Sequence, residues 1–210
     1  MSISNWKNFL NSQNGEAGLL LHHQIKTKAI MKTQLIILAL SLTGMLHAQK
    51  YMTREGKVHF FSDAPMEDIE AVNEQMSSIL NAENGDFAFL VPIKGFIFEK
   101  ALMQEHFNEN YLESGQYPNA SFKGKIENID EIDLEKDGTY PAQLKGIMEI
   151  HGVKQEMSEE VTLTVKDGKV SIEAKFNARP KDYKIKIPSG KKDNIADLIE
   201  VTVNATYAKR

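Results

Sequence analysis

The fold class this sequence predicts is all-β: an antiparallel sheet of about eight or nine strands with one short helical excursion. Three observations predict it. Apolar and polar residues alternate with period two through much of the chain after Gly56, as at Val161/Leu163/Val165, Ile172/Ala174/Phe176 and Ile199/Val201/Val203, the pattern of strands with one buried face. Turn dipeptides separate these stretches, most clearly Asn84-Gly85 and Asp167-Gly168, where glycine supplies the positive φ of a tight hairpin. No strand–helix–strand alternation occurs, so the strands are expected to pair antiparallel.

Taken in order, residues 57–62 open the series and stop at Asp63-Ala64-Pro65. Residues 66–80 place Ile69, Val72, Met76, Ile79 and Leu80 at helical spacing, which predicts an amphipathic helix or an irregular excursion. Strands are expected at 87–91 and 96–98. Residues 101–112 then bring Leu102, Met103, His106, Phe107, Tyr111 and Leu112 together at three- and four-residue spacing, one short helix or two helical turns. Extended structure resumes after Tyr117-Pro118 at 120–126. Further strands are expected at 143–150, 160–166, 169–176, 183–187 and 199–207.

Regular alternation suits a sheet closed on itself, although a sandwich shares the pattern. An eight-stranded barrel either fills its interior with side chains or holds one small ligand there. Candidate interior residues are Phe60, Phe87, Phe89, Met103, Phe107, Phe122, Met148 and Phe176. His106, Asn108 and Tyr111, on the helical excursion, are the candidates for a polar mouth.

The first 48 residues read differently. An apolar run from Leu35 to Leu42 follows Met31-Lys32 and precedes Leu46-His47-Ala48. It is shorter than the roughly 20 residues a membrane-spanning helix needs. Basic start, apolar middle and a small residue at the cut describe a secretory signal peptide over 31–48, cleaved after Ala48. Residues 1–30 then read as an over-extended N-terminus and 49–210 as one domain. The whole chain, 210 residues with 25 Lys and Arg against 29 Asp and Glu, carries a formal charge of −4. Removing residues 1–48 leaves 21 basic and 28 acidic residues, a charge of −7. An acidic balance argues against a broadly basic nucleic-acid binder. The expected location is the periplasm or outside the cell. With no cysteine in the chain, disulfides, thiolate metal sites and a cysteine nucleophile are excluded.

A set of short motifs resembles the YceI-like lipid-binding family. Leu102-Met103, His106-Phe107, Tyr111-Leu112, Tyr117-Pro118-Asn119-Ala120-Ser121-Phe122 and Gly124 are similar to the family's middle motif. Leu144-Lys145-Gly146 leading to Ile150-His151-Gly152-Val153 continues the likeness. Phe176, Asp182-Tyr183, Ile187-Pro188 and Ile195-Ala196 extend it, in family order, so that it runs from about Gly56 to Tyr207. The resemblance implies an eight-stranded, lipocalin-like barrel, usually exported, that holds a polyisoprenoid or long acyl chain in a tunnel. It implies no enzyme activity and no cofactor. Where many members carry an Arg-Asp pair, this chain has Leu102-Met103-Gln104-Glu105, so the tunnel is carried over and its polar end is not.

Catalytic and metal motifs are weak by comparison. His59, His106 and His151 show no i, i+4 pair of a zinc-binding helix. Asp133, Glu135, Asp137 and Gly138 have the opening of a calcium loop, but the twelfth position is Leu144 where a bidentate Glu belongs. An acidic turn explains them better. Ser189-Gly190-Lys191-Lys192 matches a Ser-x-x-Lys pattern but sits beside Pro188, in a loop, without its partner motifs. The rivals to a lipid carrier are a filled-core structural or stress-response barrel and, more remotely, a hydrolase-type enzyme.

Overall fold

The computed structural model describes residues 49–209. Nine strands run β1 (Lys50–Asp63), β2 (Asp68–Asn81), β3 (Asp86–Pro92), β4 (Ile97–Phe98), β5 (Asn119–Ile126), β6 (Gly138–Ile150), β7 (Val153–Lys166), β8 (Lys169–Ala178) and β9 (Ile199–Lys209). Antiparallel pairing passes from β1 through β2, β3, β5, β6, β7, β8 and β9 and returns to β1. This is a closed eight-stranded barrel, as the resemblance implies. The two-residue β4 pairs with β2 farther along, at Ala71 and Val72, where β3 has left it.

Closure is set locally by the turns. His151 and Gly152, at φ 52° and 69°, join β6 to β7, and Asp167 and Gly168, at φ 51° and 72°, join β7 to β8. Two successive positive φ values are those of the type I′ hairpin, whose twist matches that of the strands.

Residues 66–80 correct one expectation: from Asp68 on they are the strand β2, paired along its length with β1. Its inward row is Ala71, Asn73, Met76, Ser78 and Leu80, and the register shifts between Asn73 and Met76. Two buried polar side chains and a bulge erase the period of two and leave an apparent helical spacing. Asn73 is satisfied by donating to the Pro92 carbonyl and accepting from the Gln75 amide. Residues 183–187 are the second correction. A 3₁₀ turn, Pro180–Tyr183, and a left-handed Lys184 replace the expected strand. Proline at 180 and 188 also removes two amide donors that a ladder would use.

Two ends of the interior differ. Toward the start of β1, the barrel is filled by Tyr51, Met76, Leu80, Phe87, Phe122 and Tyr207, all almost wholly buried. The Phe122 ring stacks on Phe89 at 5.5 Å and rests over Gly124 and Gly146, which face each other across β5 and β6. A Cβ on either glycine would come within 2.7 Å of that ring. Tyr207 donates to Ser78 Oγ at 2.9 Å, because the Ser78 hydroxyl itself donates to the Ala88 carbonyl. Burial pushes the Tyr207 phenol pKa far upward. Ile129, Ile132 and Leu134, between β5 and β6, are also buried and join the same core. The motif at Asp133 is an Asx turn, its carboxylate accepting from the Glu135 amide.

Candidate functional site

The other half of the barrel is hollow. A cavity of about 250 Å³ lies between the Phe89–Met148 level and the end where β1 finishes and β9 begins. Strand residues reach it in the expected alternation: Val58, Phe60 and Ser62 from β1, Phe89 and Val91 from β3, Met148 and Ile150 from β6, Phe176 and Ala178 from β8, Ile199, Val201 and Val203 from β9. Its wall is overwhelmingly apolar, with few polar groups near the mouth.

Two segments cover that mouth. The first is α1 (Ala101–His106), which continues as a single π turn, Phe107–Tyr111. It brings Met103, His106, Phe107 and Tyr111 to the cavity. Phe107 packs its ring against Phe98 at 5.0 Å, Phe96 at 5.4 Å and Phe60 at 5.5 Å. This aromatic cluster ties the helix to the barrel wall. The second segment is the long β8–β9 connection, residues 179–198, which contributes Pro180, Tyr183, Ile185, Ile187, Lys191, Asn194 and Ile195. Although 183–187 is no strand, its alternation still reports facing. Ile185 and Ile187 line the cavity, while Lys184 and Lys186 are exposed.

This connection also closes a gap in the wall. β7 pairs with β8 only from Thr162 to Lys166, and the 3₁₀ turn reaches across to the unpaired part of β7. Gln155 Nε2 donates to the Asp182 carbonyl at 2.7 Å. His151, in the β6–β7 turn, places Nδ1 3.1 Å from the Tyr183 carbonyl and Nε2 2.7 Å from Glu113 Oε2. One imidazole therefore links the β8–β9 connection to Glu113, in the loop just after the π turn. Its turn role agrees with the sequence reading, and the tether itself had no signature there.

At the opposite rim, Glu67 accepts from Lys100 Nζ at 3.0 Å and from Asn194 Nδ2 at 3.4 Å. The Lys100 hydrogen bond holds the Glu67 carboxyl below the usual range. Ser62 Oγ accepts from the Ala196 amide at 2.9 Å. Burial raises the phenol pKa of Tyr111, and burial with nearby Asp182 raises that of Tyr183. Ser62 and Glu67 are thus engaged in holding the mouth segments together. Among the described residues no group of three or more His, Asp or Glu is placed to hold a metal ion.

Of the residues expected to line a tunnel, Phe60, Phe89, Met103, His106, Phe107, Met148 and Phe176 do face the cavity, as does Tyr111. Phe87 and Phe122 do not, which corrects that reading. They point inward but lie in the filled half, packed on each other at 6.1 Å. Alternation tells which face a residue is on, not how far along the barrel the packing ends. Asn108 is not at the cavity either: its amide nitrogen donates to the Gln104 carbonyl, and its Oδ1 is buried without a partner. Glu67, Asn194 and Ile195 were missed as site residues, because the first lies in the misread stretch and the others lie in a loop.

The YceI-like domain family model matches residues 47–207. No curated protein matches by sequence. Among solved structures, a polyisoprenoid binding domain from Saccharophagus degradans implicated in plant cell wall breakdown superposes with a TM-score of 0.68 at 10% identity. The match covers 78% of this chain and 99% of that one. BcnA of Burkholderia cenocepacia superposes with a TM-score of 0.60 at 14% identity, covering 73% of this chain and 96% of that one. At such identities the likeness is one of fold.

Proposed function

The chain belongs to the YceI-like domain family, and from that membership and the half-hollow barrel we propose that the protein binds a long isoprenoid or fatty-acyl chain in its cavity. The observation that carries this reading is the division of the interior. A barrel built only for stability would continue the Phe87–Phe122 packing to its far end, whereas here about 250 Å³ of apolar space is left open. A chain there gains about 0.8 kcal/mol per CH₂ withdrawn from water, so length and shape set the affinity. The polyisoprenoid-binding description of the Saccharophagus domain, which shares the fold, agrees with it.

The reading is non-catalytic. Ser62 and Glu67 serve as tethers, and among the described residues neither is hydrogen-bonded to a histidine that could act as its base. We propose also that residues 31–48 direct export and are removed, which places the barrel in the periplasm or outside the cell. An N-terminal peptide beginning at Gln49 in the secreted or periplasmic fraction supports this, and one retaining residues 31–48 there contradicts it.

The binding reading is tested by titrating the protein with prenyl alcohols of increasing length. Each added isoprene unit should tighten binding until the cavity is full. In Ala120→Trp, whose new ring enters the cavity from β5, binding should fall at least about tenfold with the barrel still folded by circular dichroism. Length-independent binding that the tryptophan leaves untouched would sink the reading.

A further inference from the structure

Resting on that lipid-binding reading, we propose that the β8–β9 connection is a docking surface for an anionic lipid bilayer, through which the bound chain enters and leaves. Charge separates this segment from the rest of the molecule. Residues 179–198 hold six basic and three acidic side chains, a net +3, in a barrel whose residues 49–210 sum to −7. Lys181, Lys184, Lys186, Lys191 and Lys192 are all exposed.

Exposed apolar side chains occur on the same rim. Met66 is 72% exposed and Leu198 is 45% exposed, both large for hydrophobic residues with no partner. They belong to one rim, because the Met66 amide donates to the Asp193 carbonyl at 2.9 Å and Ser62 accepts from Ala196. Exposed apolar tips on a rim whose β8–β9 connection is net positive match the bilayer interface, where apolar groups enter the headgroup layer and cations meet anionic phosphates.

A second hollow, of about 180 Å³, supplies an independent observation. It is bordered by Lys181, Lys192 and one carboxylate, Asp197, a net positive edge, with Pro180, Ile185, Ile187 and Ile195 completing its lining. The same three isoleucines line the barrel cavity. One layer of isoleucine side chains thus separates the lipid space from a lysine-edged hollow. A chain drawn from a bilayer docked here would pass between those isoleucines while its headgroup stayed with the lysines.

The test uses vesicles of phosphatidylcholine alone and of phosphatidylcholine with about one third phosphatidylglycerol. The native chain is compared with Lys181→Glu/Lys192→Glu, both carrying the same residues 1–48, so whatever those contribute cancels. Each lysine near an anionic surface contributes about fivefold in binding. The native protein should prefer the anionic vesicles about tenfold or more at low salt, and the charge reversal should cut that preference more than about threefold. A smaller cut, or no preference in the native protein, overturns the proposal. Lys181→Gln/Lys192→Gln, which disturbs the fold less, should give an intermediate preference, and a preference equal to the native one counts equally against it. Farnesol offered from water, without vesicles, should load native and charge-reversed proteins alike. If neither takes up farnesol, the cavity reading fails, independently of the vesicle result.

Discussion

Phe122 on β5 and Phe176 on β8 are both inward-facing phenylalanines, yet they do different work. Phe122 is 1% exposed, enclosed by Phe87, Phe89 and the two glycines beneath it. Phe176 is half-buried on the cavity wall. Phe122→Ala should cost about 3–5 kcal/mol, the range for a close-packed ring, and added lipid should not restore it. Phe176→Ala should cost less, since its ring already borders open space, and should shift the preferred chain toward bulkier ligands. Denaturant midpoints with and without a prenyl alcohol measure both. Equal losses in the two variants would contradict the division of the interior. Sequence reasoning placed both rings inside, because alternation fixes the face. It could not place the boundary between filled and hollow, which depends on how side chains from β3, β5 and β6 meet in three dimensions.

At the scale of elements, the strands were more legible than their connections. Hairpins at Asp167-Gly168 and the helical excursion carry their own local chemistry and lie where the pattern puts them. β2 was obscured because Asn73 and Ser78 occupy inward positions and a bulge shifts the register. Both are paid for by tertiary hydrogen bonds that no local pattern records. The β8–β9 connection shows the converse: Lys184-Ile185-Lys186-Ile187 alternates for facing, without a ladder partner. Its anchorage by His151 gives a prediction. His151→Asn suits the left-handed turn position, as Asn-Gly is a favoured type I′ pair, so the β6–β7 hairpin should persist. The tethers to Glu113 and Tyr183 would be lost. Amide exchange should then accelerate across 180–187 while protection in β6 and β7 is kept. Unchanged exchange in 180–187 would show that His151 does not hold the connection.

For the whole molecule, the filled half and the hollow half have complementary roles. One half supplies the buried apolar area that holds a cysteine-free barrel together. The other leaves apolar wall exposed to a cavity, a cost in stability that a chain bound there would offset by filling it. The family likeness read from ordered motifs anticipated the closed barrel but not the division of its interior; the motifs fall on β5, the β6–β7 turn and the mouth segments. The polar groups of the mouth were not legible, because Glu67, Lys100 and Asn194 meet only when the barrel closes. The central claim is that the open half holds a lipid chain. Native mass spectrometry of the protein, purified without detergent from the cells that make it, tests this most directly. The predicted result is a population heavier than the bare chain by one lipid, which organic extraction removes and an added prenyl alcohol restores. A single bare mass that stays bare after adding prenyl alcohols and fatty acids would contradict it.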